Sequence, residues 1–140
     1  MKILLAVDGS SYTKKMLAYL SAHDELFGPN HDYTLLTVHP ALPPRVRTAL
    51  GKATVNSYYA EETDKVIAPS LKFLTRHDYK VKSEWKVGPA GETLAKFADE
   101  GEFDLLIMGS HGHGTLGNLV MGSVATQVIA QSKVPVLLVR

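Results

Sequence analysis

The chain has 140 residues, 45% hydrophobic and 21% charged, with 15 Lys and Arg against 14 Asp and Glu and a formal net charge of +1. Near-neutral charge argues against nucleic acid or an anionic membrane as the main partner, and the lack of cysteine excludes disulfides and thiolate metal sites. Only five apolar residues separate Lys2 from Asp8, too few for a signal peptide, and no later run would span a bilayer; a cytoplasmic protein of one domain, residues 1–140, is expected.

The first run, Lys2 to Val7 (KILLAV), is continuously apolar and ends in Asp8-Gly9-Ser10. Continuous apolarity indicates a strand covered on both faces, as in a parallel sheet. Asp8 then sits at a carboxyl strand end, where open α/β sheets bind ligands. It reads equally as a polar contact to a nucleotide or as an anion complementing the next helix. Ser10 or Ser11 suits the cap of that helix, whose inner face is Met16, Leu17, Leu20 and Phe27. Tyr33 to His39 is a second strand, and Pro40, Pro43 and Pro44 impose an extended connection after it.

From Arg45 to Arg76 the helical periodicity is scattered. The part before Tyr58 is polar and reads as a surface loop, and Pro69 is expected to kink or break the helix near Ala68. Tyr79 to Val87 alternates Val81, Ser83, Trp85 and Val87 against lysines and Glu84, the pattern of a strand near a sheet edge with one solvated face. Ala90 to Glu100 is a short helix with Leu94, Phe97 and Ala98 inward. Val120, Val124 and Val128, with Ile129, mark the last helix. Val134 to Val139 (VPVLLV) is a closing apolar strand, and homodimerisation through Val134, Pro135, Val136, Leu137, Leu138 and Val139 would cover it. Five strands alternating with four helical segments give an α/β fold, with right-handed crossovers placing helices on both faces of a mostly parallel sheet.

The densest signal is Asp104 to Ser123, DLLIMGSHGHGTLGNLVMGS. A buried strand runs into a loop with glycines at 109, 112, 114, 117 and 122, just before a helix. Such loops bring bare backbone N–H groups to an anion at a helix start. Gly112-x-Gly114-x-x-Gly117 matches a dinucleotide fingerprint, but it comes late in the chain and no Asp or Glu follows it. Gly117-x4-Gly122-Ser123 lacks the lysine of a P-loop. The spacing Gly109-x2-Gly112-x9-Gly122-Ser123 resembles the nucleotide-binding signature of the universal stress protein family.

That resemblance runs along essentially the whole chain. It is carried by ILLAVDGS (Ile3 to Ser10), Val87-Gly88-Pro89, DLLIMGSHG (Asp104 to Gly112), Gly122-Ser123-Val124 and the closing VPVLLVR. It implies an open, Rossmann-like five-stranded sheet of order 3-2-1-4-5, dimers through the last strand, and the ATP-binding branch of the family. By the same resemblance Asp8 meets the ribose or the adenine. Val38 lines the adenine pocket, with Ala6 or Val7 and Met108 close to base or sugar. Backbone amides around Gly109, Gly112, Gly122 and Ser123 hold phosphates, with Val124 beside them and the Ser123 hydroxyl donating to one. ATP with Mg²⁺ is the implied ligand.

His111 and His113 lack the third and fourth ligands of a zinc site, so they read as loop histidines bonding backbone or a phosphate, with His113 adding pH-dependent charge. No serine has an evident His/Asp relay and no SGGxDS-type pyrophosphatase loop occurs at Val7 to Ser11. The expected function is a homodimeric ATP-binding regulator of stress adaptation. The rivals are a slow ATP hydrolase or nucleotidyl-transferring enzyme of the same fold, and an interaction module that needs no nucleotide.

Overall fold

Neighbouring residues of the first apolar run point to opposite faces of a sheet, and both faces are buried. Ile3, Leu5 and Val7 belong to one core, with Met16, Leu20, Leu35, Leu74 and Ile107. Leu4 belongs to a second core, with Leu36, Leu94, Leu106, Met108 and Val128. Burial on two sides is why the run is continuous rather than alternating. The computed structural model describes residues 1–113 and 120–140.

The elements are β1 (Lys2–Ala6), α1 (Ser11–Ala22), α2 (Asp24–Phe27), β2 (Asp32–His39), α3 (Pro44–Leu50), α4 (Lys52–Arg76), β3 (Val81–Val87), α5 (Ala90–Glu100), β4 (Leu105–Gly109), α6 (Ser123–Gln131) and β5 (Val136–Val139). All neighbouring strands pair in parallel, in the order β3-β2-β1-β4-β5. Residues of α1 and α4 pack on one face of the sheet and those of α5 and α6 on the other. The implied α/β sheet and its strand order are therefore found. No helix among the described residues is long and apolar enough to cross a membrane.

Three expectations need correction. The polar stretch before Tyr58 is helical, first as α3 and then, after a break at Gly51, as the start of α4. Two well-spaced residues anchor it: Val55 and Tyr59 are buried, and the Tyr59 hydroxyl accepts from Leu42 N–H at 2.9 Å and donates to the Pro40 carbonyl at 3.2 Å. Secondly, α4 continues through Pro69. Buried Ile67, Ser70 and Leu74 hold the helix on both sides of a proline that itself faces solvent. Thirdly, Val120 lies outside α6 and is 75% exposed, and Ile129 is also exposed; the helix is seated by Ala125 and Val128.

The edge strands also differ from their patterns. Every residue of β3 after Val81 is exposed, including Trp85 and Val87, because an outermost strand is covered only in part. Among the described residues β5 pairs only with β4, and it leaves Val136, Leu137 and Leu138 half-buried while Val139 is buried.

Candidate functional site

The chain runs β1, β2, β3 outward on one side of the sheet and then crosses to β4 and β5 on the other. The strand order thus reverses between β1 and β4, and at such a point the connections diverge and leave a crevice beyond the carboxyl strand ends. A cavity of about 410 Å³ lies there, within the size range of small-molecule sites. Ala6, Val7, Asp8, Val38, Met108, Gly109, His111, Gly112, His113, Gly122, Ser123 and Val124 all line it, so the structure brings together every residue singled out for a nucleotide. Gly114 and Gly117, and with them the two other glycine templates, lie outside the described residues.

The lining changes character across the sheet. On the β2 side it is apolar, with Leu36 and Val38 facing Leu94 and Ala90 of α5. Val7 N–H donates to the Leu36 carbonyl at 3.0 Å, at the end of the β1–β2 ladder. By the two-residue repeat of a parallel ladder, the Val38 amide and carbonyl point the same way, past the point where β1 has ended. One donor and one acceptor are therefore presented on an apolar wall.

In the middle stands Asp8. Its Oδ1 accepts from Ser10 N–H at 2.9 Å and from the Thr13 hydroxyl at 3.0 Å, and its own N–H donates to Thr13 Oγ1 at 3.1 Å. Asp8 closes the turn into α1 with one oxygen and lines the cavity as well. Ser10 occupies the N-cap position of α1 with extended backbone, yet its hydroxyl makes no capping bond and is buried without a partner among the described residues.

On the β4 side the wall is backbone. A Cβ at Gly112 would lie 2.6 Å from Asp8 Oδ2, and one at Gly122 would lie 3.2 Å from His111 Cα and 3.3 Å from the Ser110 carbonyl. A side chain at Gly112 would displace the Asp8 carboxylate, and one at Gly122 would crowd the backbone of Ser110 and His111. The Gly122 amide already donates to the Ser110 carbonyl at 2.7 Å, so Gly122 provides space rather than a donor. The first bond within α6 runs from Thr126 N–H to the Gly122 carbonyl. The amides of Ser123, Val124 and Ala125 therefore form the open first turn of the helix, with the positive end of its dipole at the cavity.

His113 Nε2 donates to the Asp8 carbonyl at 2.7 Å, tying the loop to the end of β1. His111 Nδ1 lies 2.8 Å from Ser110 Oγ, and its ring centroid is 4.9 Å from that of Tyr12. No Lys or Arg lines the cavity among the described residues. Thr13, Leu36, Ala90, Leu94, Ser110 and Ala125 complete the wall and were not among the residues the sequence singled out for the site. Of these, Thr13 carried a usable signal, a hydroxyl five residues after the strand-end Asp.

The model of the universal stress protein family matches residues 1–140. A universal stress protein of Thermus aquaticus, from the QAH/OAS sulfhydrylase 3' region, is 32% identical over 99% of this chain and 97% of its own length. Universal stress protein Slr1230 of Synechocystis is 31% identical over 99% of this chain, which spans only 42% of that protein. Among solved structures, MJ0577 of Methanocaldococcus jannaschii superposes with a TM-score of 0.81 at 29% identity, covering 99% of this chain and 94% of that one. More distant members solved with nucleotides include an Archaeoglobus fulgidus protein with dAMP (19% identity, TM-score 0.67) and an Arabidopsis thaliana protein with AMP (13%, 0.69). They cover 100% and 99% of this chain and 98% and 90% of their own. At those identities the likeness shows the fold alone.

Proposed function

The chain belongs to the universal stress protein family, and from that premise we propose that residues 1–140 act as one ATP-binding domain, a cytoplasmic homodimeric regulator in stress adaptation. The observation that carries the reading is the order of surfaces across the cavity: apolar wall at β2, carboxylate at β1, bare backbone and a helix start at β4. That is the order of base, sugar and phosphates along a nucleotide. The fold relatives solved with AMP and dAMP support adenine as the base.

The residues fit the ligand. A purine packs on Val38, Leu36 and Leu94, and the Val38 amide and carbonyl suit the hydrogen-bonding edge of adenine. Asp8 accepts from sugar or base. Phosphates lie against Gly122, where a Cβ would come within 3.2 Å of His111 Cα, and meet the Ser123 and Val124 amides and the Ser123 hydroxyl. With no Lys or Arg in the lining among the described residues, Mg²⁺ arriving with ATP would supply the balancing positive charge. Mg²⁺ commonly keeps several waters and binds through phosphate oxygens, and it needs no cage of protein carboxylates here.

Calorimetric titration with Mg²⁺-ATP and mass spectrometry of any copurifying small molecule test the assignment. ATP at about 100 times its Kd stabilises the fold by about 2.7 kcal/mol, seen as a raised melting temperature. Gly122→Val is expected to weaken ATP at least about tenfold, the loss of one charge-assisted hydrogen bond or more, while the circular dichroism spectrum stays that of the wild type. Undiminished ATP affinity in that variant would remove the phosphate site from this loop.

A further inference from the structure

We propose that Thr13 is a positioning residue that locks the Asp8 carboxylate and so makes the cavity select ribonucleotides over deoxyribonucleotides. The inference rests on the nucleotide reading above and adds to it a residue and a substrate class. Thr13 lies in the first turn of α1, is buried, and lines the cavity. Its hydroxyl accepts from Asp8 N–H at 3.1 Å and donates to Asp8 Oδ1 at 3.0 Å, so it is used in both directions by one residue. Ser10 N–H takes the second acceptor position of Oδ1 at 2.9 Å. The two carboxylate oxygens cannot exchange places without breaking both bonds.

Oδ2 is left as the presented atom. It carries no hydrogen bond to a described residue, and it lies over Gly112 so closely that a Cβ there would be 2.6 Å away. Asp8 as a whole is exposed at the cavity mouth. An ionised carboxylate oxygen only accepts, so the part of the ligand that meets Oδ2 must donate. Phosphate is excluded from that place by charge. The purine belongs beside Val38 on the neighbouring strand, since β1 lies between β2 and β4. What remains between base and phosphates is the sugar, whose donors are its hydroxyls.

A carboxylate held in one orientation accepts such a hydroxyl without first losing rotamer freedom, the usual advantage of preorganisation. A deoxy sugar leaves Oδ2 to water instead. Because Asp8 is exposed and can be hydrated, the discrimination is set by one charge-assisted bond, about tenfold or somewhat more.

The test is calorimetric titration of ATP, 2'-deoxy-ATP and 3'-deoxy-ATP into the wild type, Thr13→Val and Thr13→Ser, with Thr13→Ala in reserve should the valine variant not fold by circular dichroism. The wild type is expected to bind ATP about tenfold more tightly than at least one deoxy analogue. Thr13→Val brings ATP down to the level of that analogue while the analogue's own affinity moves less than about twofold, and Thr13→Ser keeps the preference. A wild type that does not discriminate, or a valine variant that weakens all three ligands equally, overturns the role of Thr13 and leaves nucleotide binding standing. A wild type that binds no ATP overturns the nucleotide reading and this inference with it.

Discussion

His39 ends β2 beside the cavity strands, with its Nε2 2.7 Å from Thr63 Oγ1 and its ring about equally close to those of Tyr59 and Trp85, at 5.8 and 6.0 Å. Desolvation by this packing pushes its imidazole below histidine's ordinary value, with Glu62 pulling the other way. The folded protein therefore resists a proton that the unfolded chain accepts near pH 6.5. The stability involved is complete above that value and is lost as pH falls past it. Between pH 7.5 and 5.5 the melting temperature of the wild type is expected to fall, and that of His39→Gln to fall less. Equal decreases would assign the acid sensitivity to other groups. The partial burial of His39 could not be read from the chain, because it depends on side chains brought together from separate elements, whereas the Thr13–Asp8 pair left only its five-residue spacing as a signal.

At the scale of elements, long apolar runs were legible and mixed ones were not. β1 and β4 follow from unbroken apolar runs because both of their faces are covered, and β2 follows from its β-branched and aromatic residues. Strand β3 shows the limit: its alternation names a strand correctly, yet an edge position leaves even its apolar residues exposed. In α4, local chemistry loses to packing. A proline inside a helix cannot donate to the carbonyl four residues back, here that of Lys65, and a mid-helix proline costs about 3 kcal/mol relative to alanine. Burial of Ile67 and Leu74 on either side is worth about 1.5–3 kcal/mol for each side chain and carries the helix through. Pro69→Ala is accordingly expected to stabilise the protein by about 1–3 kcal/mol in urea denaturation, less the few tenths to 1 kcal/mol that proline contributes by restricting the unfolded chain. A destabilised alanine variant would mean that the proline ring itself packs.

For the whole molecule, the open question posed by the sheet is its β5 edge. Strand β5 pairs with β4 alone among the described residues, and its Val136, Leu137 and Leu138 remain half-buried. An apolar edge strand tends to find a partner, and a second copy of the chain is the partner proposed here. Sedimentation equilibrium of the wild type should give twice the chain mass, and Val136→Lys should weaken association at least about tenfold, since a lysine ammonium would have to be desolvated at the interface. A wild type that sediments as a monomer would dismiss the homodimer while leaving the cavity and its ligand untouched.

By itself the sequence determined the parallel α/β plan and the glycine loop, because continuous apolar runs and bare backbone are local properties written in consecutive residues. With the resemblance that those residues carry, it also indicated twelve positions that the fold gathers around one cavity. Tertiary structure alone decided which atoms of those residues remain available. It engaged the Gly122 amide with Ser110, fixed one oxygen of Asp8 through Thr13 and left the other presented. The difference is physical: an apolar pattern requires only that some partner cover it, whereas a hydrogen bond is directional and is settled only when donor and acceptor from separate elements meet in space.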